Sequence, residues 1–436
     1  MSTLVLLVGT NPLPNYVVAK YLITKTDGKK FDRILLVHSK DTEYQADRLH
    51  KVLRDQLKQV SEPCPLGQST VANDINKVMY SKLATLPENE DIHLNYTGGR
   101  KTMSVHVHAA LTKLKNNQSN RSVTFSYLDS SNYILRYDDD EGHVEPKDPV
   151  SGKQGDLRNF VKLDFETELL ALHGYEKVKL GSEPDYLPVA EWIFQQARQH
   201  PAKDSLYTRL HDWAGFTKTK EGLKNLIATD HPWPNDPAFD ELGNLIATEF
   251  GLTVEECTWA KFPPNNEKLP LPRRDKLCKF LEGGWLEPIV FAQLVKFVED
   301  INYLNPPITA CYVDIVAKRQ HDMQIDVALL RGYELVLLSI TTIGYGSGYE
   351  YKKDGSYPYK SEVKGKGFEA IHRAAQLGGE EARPILICLA GPLLKKAVTE
   401  DLEDDFGGDI SRKTLSVFGH EDLQDLATAL QTELKR

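Results

Sequence analysis

Glu287 and Asp326 stand where carboxylates are costly. Asp326 lies in the apolar run Ile325-Asp326-Val327-Ala328-Leu329-Leu330, which is followed by Arg331-Gly332-Tyr333-Glu334 and a second run, Leu335-Val336-Leu337-Leu338-Ser339-Ile340-Thr341. A four-residue loop between the runs sets Leu330 opposite Leu335 and hence Asp326 opposite Ser339, so both side chains leave one face of a hairpin. Thr341 points the same way. A carboxylate among apolar neighbours needs a partner. Glu287, at the first turn of a helix opened by Gly283-Gly284-Trp285-Leu286, is placed to share a divalent cation with it.

A second group suits phosphate. Ile92-His93-Leu94-Asn95 reads as a strand end, Gly98-Gly99 as a tight turn, and Met103 to Leu111 as a helix whose first amides have no intrahelical partner. Arg100 and Lys101 add formal positive charge where the backbone dipole is already positive. The loop fits neither the Walker pattern nor Gly-x-Gly-x-x-Gly.

These residues need elements to position them. Leu4 to Val8 reads as a buried strand running into Gly9-Thr10-Asn11-Pro12, then Tyr16 to Leu22 has helical spacing. Ile34 to Val37 is a second strand, ending in His38-Ser39, and Thr42 to Val60 a second helix. Repeated strand–helix units imply an α/β fold with a parallel, doubly wound sheet whose ligands sit beyond the strands' carboxyl ends. Thr10, Asn11, Ser39 and the Thr97 to Lys101 loop fall at that edge.

With 436 residues, 41% of them hydrophobic, the chain can bury more than one core. The net charge of −9 excludes a protein held on nucleic acid by bulk electrostatics, so any such contact is focal or gated. Cys64, Cys257, Cys278, Cys311 and Cys388 are scattered and form no Cys-x-x-Cys, which points to reduced thiols rather than a disulfide framework or a zinc site. No apolar run approaches membrane-spanning length, and the cytoplasm is the expected location.

Turn signals divide the chain. Asp138-Asp139-Asp140-Glu141-Gly142 reads as a hairpin or exit loop, and the first unit is expected to cover residues 1–155. Residues 156–275 are expected to be a mainly helical linker or insertion, with helices over Thr167 to His173, Val189 to Arg198, Ser205 to Ala214 and Leu223 to Ile227. Trp192, Trp213 and Trp233 read as packing residues there. Residues 276–436 form the last unit, closed by the strand Arg383 to Cys388 and a strand and helix within Thr414 to Lys435. Gly344 to Lys353, rich in glycine, tyrosine and lysine, suits either a flap able to stack on bases or, equally, a disordered surface insertion with no specific role.

The Gly-Thr-Asn-Pro turn, the strand ending in Ser39 and the Asn-x-Thr-Gly-Gly-x-Lys loop together resemble a CARF domain, the Rossmann-like sensor of type III CRISPR ancillary proteins. The resemblance implies a homodimer holding a cyclic oligoadenylate, cyclic tetra-adenylate first. It places Thr10, Asn11, Ser39, Thr97, Gly98, Gly99, Arg100 and Lys101 around the ring phosphates and adenosines. Arg100 departs from the family, which often has a small polar residue there.

Residues 283–287, 325–327, 338–339 and the helix ending at Leu377-Gly378-Gly379 resemble a PD-(D/E)xK restriction-like nuclease domain of the kind fused to such sensors. That resemblance implies an oligoadenylate-activated, metal-dependent endonuclease of antiviral defence, acting on DNA or RNA. Glu287 and Asp326 would hold Mg²⁺ or Mn²⁺ with help from a third-strand carbonyl, at Ile340. A lysine two residues beyond Ser339 would assist, yet that position is Thr341. Two readings stay open: Lys364 or Lys366 reaches the spot from the next helix, or the domain is degenerate and only binds nucleic acid or a partner. A dinucleotide-dependent enzyme is disfavoured by the missing glycine fingerprint.

Overall fold

The structure, a computed structural model, describes residues 2–25, 31–67, 71–117, 121–147, 154–181, 185–199, 201, 205–213, 234, 236–251, 276–300, 304–319, 322–379, 382–405 and 415–435. Its first sheet has strands β1 (Ser2–Leu7), β2 (Arg33–His38), β3 (Ser61–Pro65), β4 (Asp91–Asn95), β5 (Val123–Asp129), β6 (Ile134–Tyr137) and β7 (Val144–Glu145) in the order β3-β2-β1-β4-β5-β6-β7. Strands β1 to β5 run parallel, whereas β6 and β7 are antiparallel. The parallel doubly wound sheet expected from the strand–helix alternation is therefore present. Strand β1 is buried along its whole length because both faces are covered. Leu4 and Leu6 join one core, Val5 and Leu7 the other.

The helices α1 (Leu13–Thr24), α2 (Glu43–Leu57), α3 (Ala72–Leu83) and α4 (Lys101–Asn117) cover these faces. The acidic run at 138–142 makes the turn between β6 and β7, with Gly142 at a φ of 63°. Strand β3 was not legible: Glu62-Pro63-Cys64-Pro65 lacks a strand pattern, and its prolines are tolerated because β3 lies at the sheet edge.

The second sheet orders β13-β12-β11-β10-β9-β8, with β8 (Glu176–Gly181), β9 (Ala310–Lys318), β10 (Asp322–Arg331), β11 (Glu334–Ile340), β12 (Arg383–Ile387) and β13 (Ser416–Phe418). Glu176–Gly181, read from the sequence as part of a helical segment, is thus an edge strand. Helices α5 (Leu187–Ala197), α6 (Leu206–Trp213) and α7 (Asp240–Phe250) pack with α8 (Leu286–Asp300) and α11 (Leu426–Lys435) on one face, while α9 (Lys360–Gly378) and α10 (Pro392–Asp405) lie on the other. The expected helix at Leu223 to Ile227, Trp233 and Cys257 lie outside the described residues.

Leu330 does pair with Leu335, but Arg331 pairs with Glu334 as well. The connection is a two-residue turn, not a four-residue loop. Gly332 takes its first position with a φ of 68°, and a Cβ there would meet the Arg158 carbonyl oxygen at 2.3 Å. The glycine–tyrosine segment is also not a free flap. Tyr345 is buried with its ring 4.4 Å from that of Tyr207, and the Tyr349 hydroxyl bonds to His420, so these rings are spent on packing.

One apolar core spans the two sheets, joining Leu4, Tyr16 and Leu135 to Ile315, Leu330, Tyr333 and Leu337. At its edge the Tyr133 hydroxyl donates to Glu334 (2.6 Å), and Arg158, Arg331 and Arg383 surround that carboxylate. Among the described residues no helix is long and apolar enough to cross a membrane.

Two buried histidines set an acid limit. Burial pulls His93 down to about 4 and His173 down to about 3, from 6.5. Both are neutral in the fold, so their stabilising effect is complete above 6.5 and is lost as pH falls below it. Each is expected to remove about 2 kcal/mol of stability between pH 6.5 and 5. Urea unfolding of the parent beside His93→Asn at the two pH values isolates the ring from Glu287, which acts in the opposite sense over this range; an equal change in both proteins would mean that the ring titrates freely.

Candidate functional site

Two sites emerge, one at the end of each sheet. In the first, β1 and the Gly98-Gly99 turn are in direct contact: a Cβ on Gly98 would meet the Leu7 carbonyl oxygen at 2.2 Å, and Gly99 has a φ of 80°. Only glycines allow this approach. Asn95 is buried and orders the loop, its Oδ1 accepting from the Thr97 hydroxyl at 2.8 Å while its Nδ2 donates to Ser126 at 3.1 Å. The Leu128 amide in turn donates to Thr97 Oγ1 at 2.7 Å. Thr97 therefore ties the turn to β4 and β5.

Beyond it, Arg100 and Lys101 are exposed at the start of the 17-residue helix α4. Arg100 forms an ion pair with Asp41, which any anion must disturb. Thr10 is exposed, and Asn11 Oδ1 accepts from the Leu13 amide at 3.0 Å, starting α1. Ser39 is only 2% exposed, and its backbone amide and side chain both engage Thr42. It caps the 3-10 turn that follows β2.

In the second site, a cavity of about 590 Å³ is lined by Lys179, Glu287, Asp314, Gln324, Ile340 and Thr341, among others. Glu287 sits in the first turn of α8, as its sequence position implies. Gly283 precedes it with a φ of 149°, and a Cβ there would meet Thr342 Oγ1 at 2.5 Å, so the helix start is seated on the end of β11. Asp326 Oδ2 accepts from the Ile340 amide at 2.7 Å. No hydrogen bond or ion pair engages the Glu287 carboxylate among the described residues.

The electrostatics follow from this geometry. Burial, then the charges of Asp326 and Asp314, push Glu287 up to about 8, with Lys179 opposing. Burial also raises Asp326, against the Ile340 amide, Arg373 and Lys366. A shielded acid whose proton affinity a neighbouring carboxylate raises is short of positive charge. Among the described residues no group of three or more His, Cys, Asp or Glu side chains is arranged to hold a metal ion.

Asp314 was not found from the sequence. Ile315 pairs with Ile325 and Val313 with Val327, which puts Asp314 opposite Asp326. Val313 and Val327 enter one core while Ile315 and Ile325 enter the other, so both strands change sides at this pair. Asp314 makes the change with a φ of 48°, a left-handed conformation that aspartate tolerates better than most residues. A lone aspartate in an alternating strand carries no signal of this in its sequence.

Comparison with known proteins bears on the first site. Residues 3–143 match the Card1 CARF domain. The glycine turn and the exposed Arg100-Lys101 pair lie within the matched residues, and the match suggests cyclic oligoadenylate sensing in CRISPR defence. The whole chain is similar in fold to protein VC1899 from Vibrio cholerae, with a TM-score of 0.62 and 15% identity over 100% of this chain and 98% of that one. No curated protein matches the chain.

Outside the matched residues, the expected lysines separate. Lys364 is bound to Asp405 (2.8 Å) and Asp401 (3.8 Å) on α10, away from the cavity. Lys366 is bound to Glu369 (2.9 Å), and its charge reaches Asp326. Ser339 is buried and lies outside the cavity lining, while Thr341 lines it.

Proposed function

We propose that this chain is a cyclic oligoadenylate-activated, metal-dependent endonuclease of type III CRISPR defence, acting as a homodimer. The CARF match over residues 3–143 supports the sensor half. The nuclease half rests on one observation: the charge of Asp326 raises the proton affinity of Glu287, whose carboxylate has no hydrogen-bond or ion-pair partner among the described residues.

Glu287, which lines the cavity, and Asp326, which lies outside its lining but acts on Glu287, offer hard carboxylate oxygens of the kind that suits Mg²⁺ or Mn²⁺. The ion, once bound, would polarise the scissile phosphate and acidify the attacking water. Ile340 offers a carbonyl as a further oxygen donor and fixes Asp326 through its amide. Gln324 and Thr341 line the cavity where a phosphate would lie. Activation requires that the ligand favour one arrangement of the domains over another. The core shared by the two sheets supports such transmission.

Lys101 is expected to carry ligand affinity. Its charge and the α4 amino terminus act on the same phosphate, so Lys101→Glu should weaken cyclic tetra-adenylate binding at least ~10-fold. Isothermal titration checks this, and unchanged affinity would remove the turn from the ligand site. Thr341 favours a second reading, in which the domain binds nucleic acid or a partner without cutting. Nicking of supercoiled plasmid with Mn²⁺, with and without cyclic tetra-adenylate, separates the two. Cleavage that appears only with the ligand supports the endonuclease; binding without cleavage supports the alternative.

A further inference from the structure

We propose that Lys179, on the edge strand β8, supplies the cation at the scissile phosphate that Thr341 cannot. This assignment rests on the endonuclease reading. Lys179 lines the cavity together with Glu287 and Asp314. It is ion-paired to Asp314, whose left-handed backbone sits opposite Asp326. The pairing of β8 with β9 is irregular on both sides of it, between Lys177 and Lys179 and again between Lys179 and Gly181. Irregularities of this kind re-aim a side chain at a sheet edge. The side chain remains 51% exposed, so a phosphate can reach it.

The other lysines are worse placed. Lys364 is held by α10 acids, and Lys366 is bound to Glu369 and absent from the cavity lining. Lys276 lines the cavity but is paired with Asp185 at 2.8 Å and lies over the Tyr186 ring. Lys279 also lines the cavity and is exposed, but the cation acting on Glu287 is Lys179.

In the reaction a water oxygen bonds to phosphorus and one phosphorus–oxygen ester bond breaks. One proton of the water passes to the released alkoxide and the other to solvent. Lys179 exchanges no proton in this scheme. Its ammonium stabilises the negative charge that builds on a non-bridging oxygen, which is how a fixed cation lowers such a barrier.

Single-turnover nicking with Mn²⁺ and cyclic tetra-adenylate tests the assignment in the parent protein, Lys179→Met, Lys179→Gln, Lys179→Arg and Lys366→Met. Lys179→Met and Lys179→Gln are expected to slow the rate at saturating Mn²⁺ by ~10²-fold or more, a loss that further Mn²⁺ does not restore, because the lost group is a charge and not a ligand. Lys179→Arg should recover part of the loss. Parental rates in both neutral variants, or a full loss in Lys366→Met instead, would overturn the assignment while leaving the endonuclease intact. A parent that cuts neither plasmid nor single-stranded RNA would overturn both.

Discussion

Asp326→Ala is expected to abolish Mn²⁺-dependent nicking, lowering the rate ~10³-fold or more, because it removes a charged oxygen ligand and the anchor on the Ile340 amide together. The same variant should not unfold the protein. Without a cation, Asp326 and Glu287 oppose one another, and deleting one relieves the other. Glu287→Gln gives the matching readout in stability. The folded-state value of Glu287 lies above its ordinary 4.5, so its ionisation works against folding as pH rises from 4.5 to about 8. The glutamine variant should therefore gain stability over the parent at pH 9 and lose the rise in melting temperature that Mn²⁺ gives the parent. Full cutting by Asp326→Ala would place the chemistry elsewhere.

Glu334→Ala is expected to have the largest effect on stability, about 3–5 kcal/mol. Glu334 is fully buried, with Arg158, Arg331 and Arg383 around it and the Tyr133 hydroxyl donating to it. Burial alone would raise its proton affinity, yet the charges of Arg158 and Arg383, led by Arg158, hold it below the ordinary carboxylate value. Its contribution is present above that ordinary value and is lost as pH falls through the lowered one. Removing the carboxylate leaves three shielded guanidinium groups facing one another. Denaturant unfolding measures the cost, and a loss under about 1 kcal/mol would mean that water reaches the cluster. Tyr133 lies within the residues that match the CARF domain and Glu334 closes the hairpin that carries Asp326. The same variant is therefore expected to weaken activation by the ligand.

The sequence by itself determined the parallel sheet of the first domain, the glycine turn before α4, and Glu287 at a helix start near a hairpin bearing Asp326. These are local facts. A run such as Leu4 to Leu7, with no polar residue, must be buried on both faces, and paired glycines between strand and helix permit close backbone approach. The tertiary structure alone decided the rest. Lys179 and Asp314 meet through a strand pairing between distant segments, and β8 is exposed over most of its length, so no alternation marks it. Ser39 ends its strand as expected, but whether its hydroxyl faces a ligand or Thr42 depends on the path of the following turn. Lys364 and Lys366 could not be told apart by pattern. Two residues along a helix turn a side chain through roughly 200°, and only the packing of α9 against α10 fixes which lysine faces the acids.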